Sequence, residues 1–508
     1  MNWFDSWALT LAVFGPLVGM LILLVVPRAE EQLAKVVALI ATLATLGVTV
    51  AIAIGFDYDR TGELQFGVDK RWIDVISTRY HLGVDGISLP LLMLSAFITV
   101  LCVVYSWNHF PDPQNPKAFL ALMLLLEVGM NGTFVAQDLI LFFVFFELVL
   151  LPMFFMIGVW GGPNREYASI KFFIFTMFGS AFMLLGFLAL FWKLGSFQIP
   201  ELAAMGGGDI VSGTQSLIFA GLFLGFAIKV PMFPFHTWLP DAHTEAPTVG
   251  SVLLAAIMLK LGTYGFVRIA LPVLPEAAAD WAPWIGLLAV IGIIYGALCC
   301  LAQSDMKRLI AFSSVAHMGF VMLGIATLTD FGINAAVFGM VAHGLITGML
   351  FFLAGSVQHR FDTRQMSRLG GLLTLTPRMG WILGFCVMAS LGLPGLAGFW
   401  GEFPAVLSAY EPQVGLPVET FRTFMVVAAV GTVLAAGYLL WMLQRVAFGK
   451  VGDEWAGRSF HDANPEEWIA WTPMLVLIFV LGVYPQLLFR VTDGAVVKVV
   501  GDITRVIG

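Results

Sequence analysis

The chain has 508 residues, of which 59% are hydrophobic and 12% charged, with a net charge of −7. A soluble protein carries about 25% charged residues, so there is too little polar surface here to cover a globule in water, and the chain belongs in a bilayer built of helical spans of roughly 20 apolar residues. The charge is spread over loops with no acidic or basic run, which excludes a nucleic-acid partner.

The pattern predicts an all-α polytopic membrane protein of about fourteen spans, over 5–26, 33–55, 85–106, 118–136, 138–160, 167–191, 214–238, 247–271, 282–302, 308–328, 333–357, 379–402, 420–446 and 468–490. The first span lacks a basic flank and runs into the second, so it is not read as a cleaved signal peptide. The longest connection, about 56–84, holds FDYDRTGELQFGVDKRW and suits a short strand or hairpin. No connection is long enough for a domain, so residues 1–508 are expected to form one membrane domain. An even number of spans puts both termini on one side. With the termini outside, inner loops and helix ends hold fourteen Lys and Arg and the outer side ten. That bias is strongest in the 357–378 and 446–467 connections, so the termini are expected to face away from the cytoplasm.

Within the spans, Cys102, Cys299, Cys300 and Cys386 lie in apolar runs without a C-x-x-C pair and read as buried, inert thiols. There is no phosphate loop and no G-x-G-x-x-G after a strand, so redox cofactors are expected on other chains. Twenty-four of the 26 basic residues lie in loops or near span ends. The exceptions are Lys229 and Lys260, each costing about 2.5–3.5 kcal/mol at a helix centre. Glu127, Glu147 and Glu402 lie at comparable depth, as do His317 and His343. Taken singly, either histidine reads equally as a helix–helix hydrogen-bonding residue. Glu127, near the turn-like GMNGTFVAQD, reads as structural. As a set, two lysines, two deep glutamates and two histidines on different helices mark an ion pathway. Histidine, and a lysine whose carboxylate partner moves, both exchange protons near neutral pH.

Two spans carry helix breakers. FAIKVPMFPFHTWLPDAH at 226–243 places Pro231 and Pro234 just after Lys229, and CVMASLGLPGLAGFWGEFP at 386–404 places Pro394 and Gly395 before Glu402. Proline removes a donor and frees a carbonyl one turn back, which is tolerated at depth where the backbone lines a hydrated cavity. Two interrupted spans in corresponding halves point to inverted repeats with a central site. Spans 4–8 (118–272) and 9–13 (282–446) are expected to be those five-helix repeats, with spans 1–3 (1–110) before them and span 14 (468–490) after.

The stretches FELVLLPMF around Glu147, KVPMFPFHTWLPDAHTEAPT from Lys229, LKLGTYGFVRI around Lys260, SSVAHMGF at His317 and LPGLAGFWGEF ending at Glu402 resemble the antiporter-like membrane subunits of proton-pumping NADH–quinone oxidoreductase (respiratory complex I) and of multisubunit Na⁺/H⁺ antiporters. The resemblance covers roughly 85–490. Two features favour one of the three bacterial branches. Glu402 stands where the L-type and N-type chains carry lysine, and the chain ends soon after span 14 without the long lateral helix of the L type. The resemblance implies a pump of two half-channels, with Glu147 paired to Lys229, Lys260 linking the halves, and His317 and His343 leading to Glu402. His236 is expected at the entry of one half-channel. It also implies L-type and N-type partners and a redox arm, with FMN, iron–sulfur clusters and quinone on partner subunits and no cofactor or metal in this chain. The setting expected is a bacterial inner membrane with periplasmic termini. The rival readings are a subunit of a Na⁺/H⁺ antiporter or membrane-bound hydrogenase and, more distantly, a haem-binding subunit with His317 and His343 as axial ligands.

Overall fold

The computed structural model describes residues 3–507, and the ends of the membrane domain expected over 1–508 fall just outside that range. Among the described residues, twelve helices are long and apolar enough to cross a bilayer. Two further crossings are the broken spans, so the expected fourteen are present. In order they are span 1 (Trp3–Val25), span 2 (Glu31–Gly55), span 3 (Ser88–Tyr105), span 4 (Pro116–Val135), span 5 (Leu139–Trp160) and span 6 (Arg165–Leu194). Span 7 is Ser212–Lys229 resuming as Trp238–Glu245, and span 8 is Thr248–Val273. Spans 9, 10 and 11 are Pro275–Leu301, Met306–Ala326 and Asp330–Phe361. Span 12 is Pro377–Ser390 resuming as Ala397–Ser408, span 13 is Val418–Val446 and span 14 is Pro465–Val483.

The 56–84 connection contains an antiparallel hairpin, β1 (Gln65–Ile73) and β2 (Thr78–Val84). The helices alternate in direction, so the hairpin and both described ends of the chain share one face of the bundle, the hairpin face. The opposite face carries an open cavity of about 460 Å³ bordered by His109, Trp160, Glu245, Lys307 and His359, the funnel face.

The two halves repeat a local device. Asp138, ahead of span 5, bridges antiparallel to Gln198 beyond span 6, and Asp305, ahead of span 10, bridges antiparallel to Gln365 beyond span 11. Leu139 N and Ile199 N bond to Phe197 O and Gln137 O at 2.9 Å, while Met306 N and Met366 N bond to Arg364 O and Ser304 O at 3.0 and 2.9 Å. Each member of the second set stands 167 positions after its counterpart (138 to 305, 198 to 365). Each aspartate also caps the helix it precedes, Asp138 accepting from Ile140 N and Leu141 N, Asp305 from Arg308 N. The first clasp lies on the hairpin face and the second on the funnel face. The same construction upside down is what an inverted repeat requires.

Four expected features are corrected. Span 14 ends at Val483 rather than 490, because Pro485 restricts Tyr484 to a non-helical φ of −127 and ψ of 71. Beyond Pro485 the chain forms a separate helix, Gln486–Ile507, whose positions Leu488, Thr492, Ala495, Val496, Val499, Val500 and Ile503 are buried. Its polar side faces out, so it lies along the hairpin face. Span 7 runs on to Glu245, and span 12 to Ser408, which places Glu402 inside the second half of its span and not at its end. Glu127 lies in the middle of span 4, fully buried and away from any turn. Neither of its carboxylate oxygens has a hydrogen-bond partner among the described residues, while Asn131 one turn on donates to Ala12 O at 2.9 Å.

At the funnel face, Arg360 donates to Glu467 Oε1 and Oε2 at 2.8 and 2.6 Å, tying span 11 to span 14. Glu467 is fully buried. Arg360→Ala would leave that carboxylate inside without its cation, and is expected to destabilise the chain by about 3–5 kcal/mol. A thermal-unfolding midpoint of the purified protein reads the effect.

Candidate functional site

Span 5 is helical to Leu148, pauses at Val149 and resumes at Leu150, just beyond Glu147. The Glu147 carboxylate has Ser180 of span 6 beside it, and its Oε1 accepts no hydrogen bond from the described residues. Across from it, Lys229 ends the first half of span 7. Lys229 is 2% exposed, and its ammonium has no hydrogen-bond partner among the described residues and lies 4.7 Å from the centre of the Phe146 ring. Glu147 and Lys229 therefore face each other within electrostatic range without closing an ion pair. A cation over a ring face gains about 2 kcal/mol when desolvated, less than a carboxylate in contact would give. The arrangement is an opened pair with an aromatic holding the cation in place.

The break after Lys229 is built by Pro231 and Pro234. The helix stops, Met232 N turns back to Ala227 O at 2.9 Å, and the Trp238 indole donates to the freed Ile228 carbonyl at 2.9 Å. His236, inside the break, stacks on Phe233 with centroids 5.8 Å apart and meets Tyr295 of span 9 edge-on at 5.0 Å. Span 7 lies hard against span 8, since a Cβ on Gly262 would be 2.7 Å from Phe226 O.

Span 8 carries Lys260 between two π-helical turns, Leu254–Met258 and Phe266–Ala270. A π turn leaves carbonyls unpaired along one face. Lys260 Nζ uses one, donating to Ala255 O at 2.6 Å, and meets His343 Nδ1 of span 11 at 2.7 Å. This contact joins the first repeat to the second. The His343 and His317 rings stand 6.0 Å apart. His317 Nδ1 lies 2.5 Å from Glu402 Oε1, and His317 Nε2 lies 3.1 Å from the Tyr438 hydroxyl and 3.2 Å from Ser390 Oγ. Between His317, His343, Thr347, Ser390 and Glu402 is a cavity of about 20 Å³, enough for one water molecule.

The second break has a different role. Gly392 and Gly395 take φ of 74 and 94, and Pro394 lies between them. These reset the chain so that Ala397–Ser408 presents Glu402 to His317. Gly401 seats that half-helix on Gly339, and a Cβ there would be 2.5 Å from the Gly339 Cα. Gly401→Ala is expected to push span 12 off span 11, costing about 1–3 kcal/mol. It would part Glu402 from His317, to be read as uncoupled proton transfer at retained assembly.

Of the six residues expected at the site, the structure joins Lys260 to His343 and His317 to Glu402 by direct contacts and sets Glu147 across from Lys229. Sequence reasoning missed Tyr438 and Ser390, which fix the His317 ring, and His243, fully buried against Phe351 with both ring nitrogens unpartnered among the described residues. His243 had a signal, being the histidine that ends the WLPDAH run. Tyr438 and Ser390 had none, since a hydroxyl on an apolar helix is ordinary until its neighbour is known. A haem between His317 and His343 does not fit. Both His317 nitrogens and His343 Nδ1 are engaged by Glu402, Tyr438, Ser390 and Lys260, the rings stand 6.0 Å apart, and the space beside them holds about one water.

The family described as "NADH:quinone oxidoreductase/Mrp antiporter, TM" matches residues 136–432, and "NADH-ubiquinone oxidoreductase chain 4, amino terminus" matches 68–133. The chain is 41% identical over 499 residues to NADH-quinone oxidoreductase subunit M of Rhodobacter capsulatus, covering 96% of this chain and 94% of that one. It is 36% identical over 510 residues to an NAD(P)H-quinone oxidoreductase chain 4 of a Nostoc species, covering 100% and 94%. Its fold matches a chain of respiratory complex I from Thermus thermophilus with bound NADH, with a TM-score of 0.85, 28% identity and coverage of 98% and 99%. A chain of the Mrp complex from Dietzia matches with a TM-score of 0.84 at 18% identity, covering 99% of this chain and 100% of that one, a likeness of fold. With the broken spans, the intramembrane lysines and near full-length relatives in agreement, the chain belongs to the proton-translocating, antiporter-like membrane subunits of NADH–quinone oxidoreductase, in the subunit M (chain 4) branch.

Proposed function

We propose that protons cross this chain by way of Glu147, Lys229, Lys260, His343, His317 and Glu402, entering through one repeat and leaving through the other. The observation that carries the reading is the Lys260–His343 contact of 2.7 Å, a hydrogen bond between titratable groups of different repeats at the middle of the bundle. Each group exchanges protons with its neighbour, and His236 serves as the entry-side group at the first break. The six-residue route spans the two repeats, taken as 118–272 and 282–446.

The driving step is a change in the Glu147–Lys229 pair. A lysine facing a carboxylate keeps its proton, and one left in an apolar wall gives it up more readily. Charge changes in neighbouring subunits, powered by quinone reduction elsewhere in the assembly, open and close this pair. The opened geometry here is the donating state. FMN, iron–sulfur clusters and quinone belong to the partner subunits, and the L-type and N-type chains are the lateral neighbours. The chain works in a bacterial inner membrane with the hairpin face toward the periplasm. Support for that orientation is the excess of Lys and Arg at the funnel face.

Glu147→Gln keeps the side chain's size and removes its charge. It is expected to lower proton pumping severely in assembled complex reconstituted into liposomes. Pumping and electron transfer at wild-type levels would refute the pair's role.

A further inference from the structure

Below Lys260, toward the hairpin face, span 8 continues the polar line. Lys260, Tyr264 and Arg268 recur every fourth residue on one helix face, over about 12 Å of helix. The Tyr264 hydroxyl donates to Phe134 O at 2.8 Å and receives Arg268 Nε at 3.2 Å. Arg268 Nη2 meets Asp85 Oδ2 at 2.5 Å, with the two side chains 11% and 4% exposed. The other Asp85 oxygen accepts from Ile87 N, Ser88 N and Ser88 Oγ at 3.1, 3.0 and 3.1 Å. Burial works to raise the Asp85 carboxyl, but Arg268 and the Ser88 donors outweigh it and hold it below the usual carboxylate range, so the pair is charged at neutral pH. Beyond the pair, at the hairpin face, lies a cavity of about 70 Å³ lined by Asp85, Gln137, Arg268, Lys498 and Asp502.

We infer that Asp85, Arg268 and Tyr264 form a plug that closes the hairpin face beneath Lys260, so that a proton reaching Lys260 leaves only sideways, to His343. The line of polar groups from Lys260 to that cavity would otherwise be a shortcut across the membrane in which the second repeat does nothing. A fixed guanidinium blocks it twice. It repels an approaching proton on Lys260, and it never deprotonates, so it cannot relay one. Asp85 holds the guanidinium in place, and Tyr264 spends its proton on a backbone carbonyl. The C-terminal helix seats the plug: a Cβ on Gly86 would stand 1.9 Å from Val491 O, and Gly86 N bonds Thr61 O at 2.8 Å.

The inference rests on the route through Lys260 proposed above. It is tested with the whole complex in liposomes carrying an internal pH dye, by tracking passive proton entry under a potassium diffusion potential and then the protons pumped per NADH oxidised. Arg268→Gln and Asp85→Asn are expected to raise passive proton entry several-fold and to lower the protons per NADH. NADH–quinone electron transfer should stay within twofold of wild type. Adding Lys260→Ala to either variant should abolish the leak, because the leak runs through Lys260; a leak that persists means general loosening and overturns the plug. Tight vesicles with unchanged protons per NADH in Asp85→Asn, while Lys260→Ala alone loses pumping, overturn the plug and leave the route intact. Full pumping in Lys260→Ala overturns the route itself. If Arg268→Gln fails to assemble, Asp85→Asn decides the question.

Discussion

Lys260→Ala is expected to reduce the rate of the proton step through this chain by about 10²-fold or more, the scale on which positioned acid–base groups act. The reason is geometric. Lys260 reaches from the first repeat into the second, bonding Ala255 O on its own helix and His343 Nδ1 on span 11. Alanine removes the bond and the titratable group together. The fold should survive, because the hydrogen bonds of Lys260 run to a carbonyl and a ring nitrogen, so its loss strands no carboxylate in contact with it. Lys260→Arg separates charge from proton exchange. It keeps the positive charge, but a guanidinium does not release its proton, so it should pump as poorly as alanine. Proton uptake by vesicles during NADH oxidation, with assembly checked on a native gel, reads both variants.

Glu402→Gln should have a comparable effect for a different reason. An amide still accepts from His317 Nδ1, so the 2.5 Å contact and the cavity keep their shape. What is lost is the carboxylate, the last titratable group on the route and the one that draws the proton off His317. Assembly and electron transfer in the detergent-solubilised complex are expected to be near wild type, and pumping in liposomes to fall severely. Tyr438→Phe is the contrasting case. It deletes one of two contacts on His317 Nε2 and leaves Ser390. Its cost should be about 1 kcal/mol, the net worth of a hydrogen bond. Pumping near wild type for Glu402→Gln would remove Glu402 from the route and leave His317 as a structural residue.

Much of this architecture is legible in the sequence because a bilayer penalises exceptions. A lysine in LLAAIMLKLGTYGF and a glutamate in FFVFFELVLL stand out against apolar neighbours, as does Lys229 beside two prolines. The breaks at Pro231 and Pro394 are legible because a second helix breaker stands close to each, Pro234 and Gly395, whereas the lone Pro16 and Pro283 stay inside continuous helices. What the letters do not disclose is of two kinds. The clasps at Asp138 and Asp305, and the Arg268–Asp85 pair, join segments far apart in the chain, and nothing local in either partner names the other. The C-terminal helix escapes a reading for spans although its signal is present, with apolar residues at 488, 495, 496, 499, 500 and 503 spaced for one helix face. Its charged residues make it look like the end of the membrane domain. The opened state of Glu147 and Lys229 is a matter of small displacements, which no sequence pattern encodes.

The central claim is that these residues act in series along one path. The most direct test is the number of protons pumped per NADH in vesicles for Lys229→Ala, Glu402→Gln and the double variant. In a series path each single change already blocks the flow, so the double should be no worse than either single, the non-additivity shown by groups that work as a unit. Losses that are partial in the singles and multiply in the double would mean two independent paths, and would contradict a single axis from Glu147 to Glu402.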